Sequence, residues 1–150
     1  MTKGEKAKAL FKEGYNCAQA VAMAFAEETG LDERVLMKAA GGFGGGMGRL
    51  REVCGSVSGA VLVLGLLIGS DDVKDNAAKK ELYSRVQEQA DIFKSHNGSY
   101  ICRELLAGIT SDTNPQPDAR TSEYYRKRPC AELVEMSADI CDEILKKYNS

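Results

Sequence analysis

The chain has 150 residues, 43% hydrophobic and 28% charged, which suits one folded domain with its own core and not a disordered chain. Its formal net charge of -2 leaves no basic surplus to neutralise phosphates, so no nucleic-acid partner is expected. The N-terminus, MTKGEKAKALFKEGYN, lacks a signal peptide's apolar segment, and the longest apolar run, 57–69, is shorter than the roughly 20 residues that span a bilayer; a cytoplasmic protein without a membrane span is expected.

Helical periodicity runs through nearly all of the chain, and no alternating β-branched stretch marks a sheet. Residues 3–13 form a first helix with Ala7, Leu10 and Phe11 on one face and Gly14 to stop it. Asn16 is placed as an N-cap, with Gln19 three residues on completing a capping box, and its helix runs to Gly30. Asp32 caps a short helix, ERVLMKAA, which leads into GGFGGGMGRLREVCGSVSG, residues 41–59. Beyond it, VSGAVLVLGLLIG reads as a central core helix, apolar on nearly all sides. Asp71 and Asp72 open a long amphipathic helix whose buried stripe is Val73, Ala77, Leu82, Val86 and Phe93, ending at Asn97-Gly98. Ser99 caps a brief helix, YICRELLA. Turn formers and two prolines make 108–122 the one long loop, and the basic run RTSEYYRKR, 120–128, reads as its solvated face. Pro129 sits at the first turn of a final helix, CAELVEMSADICDEILKKY. The expected architecture is a single all-α domain over 1–150, a multi-helix bundle with a central apolar helix after a glycine-rich loop.

Eight of the 15 glycines fall within 41–59. No frame there closes a Gly-x-Gly-x-x-Gly fingerprint and no Gly-Lys-Ser/Thr occurs, so no nucleotide is specified. Gly55 and Gly59 form a Gly-x-x-x-Gly pair that signals close helix approach, and with Ala60 they offer small residues on which a homodimer could pack. Phe43 and Met47 are poor choices for a polar tether. The reading that survives is a wrapped loop, permitted by glycine's positive φ, that presents Cys54.

Four cysteines share a setting. Cys17 follows the Asn16 cap, Cys54 lies at the start of the apolar helix, Cys102 follows Ser99, and Cys130 follows Pro129. Each is near the positive end of a helix, which favours thiolate, and Arg51, Arg103 and Arg128 are neighbours that push the same way. Cys141 falls mid-helix and reads as an inert core residue; His96, the only histidine, reads as a helix-end or surface residue. No Cys-x-x-Cys occurs, which excludes a thioredoxin-like pair, zinc-ribbon knuckles and covalent haem attachment. A metal site would need cysteines from distant parts of the chain, and all-thiolate ligation selects iron–sulfur, zinc or copper(I).

The segments YNCAQAV, GGFGGGMGRLREVCGSVSGAVLVLGLLIG, CRELL and RPCAELV, in this order and spacing from about Gly14 to Val134, resemble a family of small redox-active proteins named for a C-GCAxxG-C-C cysteine pattern. The resemblance carries over Cys17, Cys54, Cys102 and Cys130 as the family cysteines. It departs at Ser56, where the family usually has alanine, which puts an added hydroxyl near Cys54. A similar domain lies beside the haem-binding part of split-Soret cytochromes, where a non-haem iron site is recognised, so the resemblance favours an iron–sulfur or related iron centre over zinc. It implies electron transfer with an oxidoreductase or other redox partner. The four cysteines would be ligands, with Arg51, Arg103 and amides near Gly55 offsetting charge. Two alternatives stand beside this: a metal-free thiol–disulfide protein with the same four as redox thiols, and a non-redox metal-handling or structural helical protein.

Overall fold

The computed structural model describes residues 1–149, and among these it is all-helical, with a single isolated antiparallel bridge between Val53 and Ile101. The N-terminal half holds α1 (Lys3–Lys12), α2 (Cys17–Ala24), α3 (Ala26–Thr29), α4 (Glu33–Gly41) and α5 (Gly55–Ile68). Then come α6 (Asn76–Asn97), α7 (Cys102–Leu105), α8 (Ser122–Lys127) and α9 (Cys130–Tyr148). None of these helices is long and apolar enough to cross a membrane.

Local chemistry explains most boundaries. Asn16 accepts from the Gln19 amide while the Gln19 side chain accepts from the Asn16 amide, so two amides at the start of α2 are satisfied reciprocally. Gly30 and Gly98 take left-handed backbone at the ends of α3 and α6. The expected single helix from Cys17 to Gly30 is two helices, broken at Phe25, whose ring is fully buried. The long helix starts later than Asp71-Asp72 because Asp75 is the cap, its carboxylate accepting from the Ala78 amide. Val73 consequently lies outside it and is exposed, as is Ala77; the inward stripe is Gln89 and Phe93, both buried, with Leu82 and Val86 partly buried. The buried Gln89 is accommodated by α9, since its amide donates to the Ser137 carbonyl and hydroxyl.

α5 is the central element and packs on α2, α6 and α9; α1 lies across α9 and α2. The approach of α5 to α2 needs glycine. A Cβ on Gly59 would sit 2.6 Å from the Ala18 carbonyl oxygen. The small-residue face read as a surface for a second copy is therefore covered by α2 of the same chain, with Gly59 and Ala60 both buried.

Candidate four-cysteine redox site

Each of the four cysteines starts a helix. Cys17, Cys102 and Cys130 are the first residues of α2, α7 and α9, and Cys54 is the N-cap of α5. The Val53–Ile101 bridge sets Cys54 beside Cys102: the Cys54 amide donates to the Tyr100 carbonyl (2.8 Å) and the Cys102 amide to the Glu52 carbonyl (2.6 Å). The glycine stretch makes room for this. Gly45, Gly46, Met47, Gly48 and Arg49 are consecutive left-handed residues with φ between 57 and 73°, and Arg51 follows at 62°. Amides fold back on the loop, Gly48 to Gly42, Arg51 to Gly45 and Glu52 to Gly46, so it is a wrapped element and not a tether. At Gly46 a Cβ would lie 2.7 Å from the Cys102 Cβ, and at Gly55 one would lie 3.2 Å from the Cys17 Cβ.

All five cysteines are free thiols. Cys17, Cys54, Cys102 and Cys130 act on one another electrostatically in every pairing, whereas Cys141, buried in α9, lies apart with its thiol directed at the Ala60 carbonyl. Expected depression of all four thiols by helix ends is not what the surroundings produce. Burial is the first cause of raised proton affinity at Cys54, pushed up to about 11, and at Cys102. Cys130 alone is lowered, first by the Cys17 thiol and then, against the effect of burial, by Arg128, Arg120 and Arg51. The same interaction with Cys130 raises Cys17. Within this pair the interaction favours the thiol form at Cys17 and the thiolate form at Cys130. Ser56 supplies the hydroxyl that departs from the usual alanine: its Oγ lies 3.1 Å from the Cys54 sulfur, and its hydroxyl and amide both favour the Cys54 thiolate.

A cavity of about 350 Å³ opens on Cys17 and Cys130 and is walled by Asn16, Arg49, Arg51, Arg120, Tyr124 and Arg128, among others. Arg51 is buried; its Nε donates to the Asp112 carbonyl, its Nη1 lies 3.8 Å from the Cys102 sulfur, and its Nη2 has no partner among the described residues. Arg103 is placed elsewhere, half-exposed and paired with Glu52. Among the described residues no three His, Cys, Asp or Glu side chains converge as a ligand group for a metal ion.

The 120–128 run, expected to be a solvated loop face, holds α8 and turns two arginines inward. Arg120 lies 4.4 Å from the centre of the Phe11 ring and donates to the Phe11 and Tyr15 carbonyls. Arg128 lies 4.5 Å from the Tyr124 ring and bonds Asp118, which also accepts from Arg49. Arg49, Asp118, Arg120 and Tyr124 line the cavity beside Cys17 and Cys130 and were not singled out from the sequence. The tyrosine pair set among arginines is the available signal, since stacked guanidiniums need such rings.

With four helix-start thiols in one electrostatic group, the comparison with known families is direct. Residues 15–144 match the family model described as "Putative redox-active protein (C_GCAxxG_C_C)". The chain belongs to that family. No curated protein matches the chain, and no solved structure does. The C-GCAxxG-C-C match takes in all four cysteines of the site and also Cys141, which the geometry leaves in the core.

Proposed function

We propose that Cys17, Cys54, Cys102 and Cys130 form one redox site holding an iron–sulfur or related iron centre, through which the protein transfers electrons to or from a redox partner. The observation that carries this reading is the gathering of four thiols, from the starts of four separate helices, within range of one another's charge. The donor set fits such a centre in number and in softness, being all sulfur. A single zinc ion would need four sulfurs about 2.3 Å from one point. That convergence is absent among the described residues, so the preference for iron over zinc rests on the family resemblance and not on the geometry.

When bound, the centre would supply one-electron chemistry. The chain's own residues supply the setting. Arg51, Arg120 and Arg128 offset negative charge near Cys130, and the Ser56 hydroxyl, 3.1 Å from the Cys54 sulfur, is placed to donate to a Cys54 thiolate. Burial of Cys54, Cys102 and Cys130 limits water, and the raised proton affinity of Cys54 means that proton release accompanies ligation.

A second reading rests on the unequal pair. The Cys130 thiolate attacks one sulfur of a partner disulfide and expels the other as thiolate. Cys17 sulfur, giving up its proton, then displaces the partner from the mixed disulfide. The products are a Cys17–Cys130 disulfide and a partner dithiol, with two electrons passed to the partner. The two readings separate on one sample. Anaerobically purified protein is expected to show visible charge-transfer bands with matching iron and sulfide. Colourless protein that stays free of iron after reconstitution, yet oxidises reversibly at Cys17 and Cys130, would put the dithiol reading first.

A further inference from the structure

The cavity beside Cys17 and Cys130 has the electrostatics of an anion site. Its lining includes four guanidiniums, Arg49, Arg51, Arg120 and Arg128, and one carboxylate, Asp118. Asp118 bonds both Arg49 and Arg128, and Asp112 lies 3.5 Å from Arg49, so these two cations are partly neutralised. Arg120 is held by carbonyl oxygens and aromatic rings, which fix its head without cancelling its charge. Arg51 is the telling residue. It is 3% exposed, forms no ion pair among the described residues, and leaves Nη2 unpartnered. A buried cation with an unmade hydrogen bond is costly unless an anion accompanies it. Its backbone is also held in the left-handed region, so the loop keeps this side chain inside against a steric preference.

We propose that this cavity binds a small oxyanion, a carboxylate or a tetrahedral inorganic oxyanion, seated on the Arg51 guanidinium beside the Cys17 and Cys130 sulfurs. The planar fork of a guanidinium matches two oxygens of such a group. Asn16, which shares the wall, has one amide N–H on the Gly41 carbonyl and its oxygen on the Gln19 amide, so the arginines supply most of the donors facing the cavity. A volume of about 350 Å³ accommodates a small anion. That the anion serves the redox centre rests on the four-cysteine reading; that it binds does not.

The test is calorimetric titration with sodium sulfate and, separately, sodium acetate, at constant ionic strength, on the purified full chain. Wild type is expected to bind one anion per chain, and the better of the two probes tells tetrahedral from carboxylate chemistry. Arg51→Gln is expected to weaken binding by about ten-fold or more. Should that buried substitution prevent folding, the half-buried Arg128→Gln is read in its place, with a weakening of about three-fold or more. Cys54→Ser, which alters the redox site but not the cavity wall, is expected to leave anion binding within about two-fold of wild type while iron loading falls. Absence of saturable binding by either probe overturns the assignment, as does binding that the arginine substitution leaves unchanged. Wild type that binds an anion but takes up no iron on reconstitution keeps the anion site and overturns the four-cysteine centre, whereas wild type that loads iron but binds neither probe does the reverse.

Discussion

Arg51 combines three unfavourable states, a left-handed backbone, deep burial and an unpartnered Nη2, and all three resolve if the residue serves the cysteines and the cavity. Met47 shares the backbone state without that reason, since it is about half-exposed at φ 68°. Met47→Gly is accordingly expected to stabilise the fold by about 1 kcal/mol, read by chemical denaturation. Ser56 acts on Cys54 through a single hydroxyl. Hydrogen bonds to ligand sulfur stabilise the more reduced, more negative state, so Ser56→Ala is expected to lower the reduction potential in electrochemical titration. Cys141 gives a pH signature of its own. Burial pushes its thiol up to about 12, so the folded state keeps a proton that the unfolded chain releases near the ordinary thiol value. Stability from this residue is full below about pH 8.5 and falls by about 1.4 kcal/mol per pH unit until the folded thiol also ionises. Alkaline denaturation followed by circular dichroism is expected to be shallower in Cys141→Ala than in wild type.

At the scale of elements, the contact between α2 and α5 brings Cys17 and Cys54 together, and glycine decides it. Gly59→Ala puts a Cβ 2.6 Å from the Ala18 carbonyl oxygen and is expected to cost about 1–3 kcal/mol, as overpacking does. Gly65→Ala, in the same helix with nothing within 4 Å of the new Cβ, is expected to stabilise by about 0.5–1 kcal/mol. Thermal melts of the two variants check the sign of each. This scale also shows what was legible in the sequence. The Asn16–Gln19 box, Gly98 and Pro129 are local signals, and the α2, α6 and α9 termini they mark hold in the structure. α8 was not legible because six residues with no buried member carry no apolar stripe. The Val53–Ile101 bridge is a single pairing between distant segments, without the alternation that announces a strand, and Gln89 reads as surface until Ser137 arrives from 48 residues away.

Over the whole molecule, the bundle brings four helix starts, each bearing a cysteine, within range of one another's charge. The helix-start setting of these four was legible in the sequence and holds in the structure, whereas Cys141 falls mid-helix; their grouping as one set came from the family resemblance. Their proton affinities were not legible. Helix position argues for thiolates, but burial depends on packing that no local pattern reveals, and it prevails at Cys54 and Cys102. Nor was the arginine wall legible in full, since Arg49 reaches the cavity from the glycine loop and Arg120 and Arg128 from the two flanks of α8, far apart in sequence. Four ligands acting as a unit behave differently from one reactive pair with two bystanders. The most direct measurement is iron and sulfide content of anaerobically purified Cys17→Ser, Cys54→Ser, Cys102→Ser and Cys130→Ser variants beside wild type, with circular dichroism to confirm folding. Iron and sulfide bound in wild type and lost or sharply reduced in all four variants is the expected result; wild type without either after reconstitution, or loading unaffected at Cys54 and Cys102, would contradict a single four-cysteine centre.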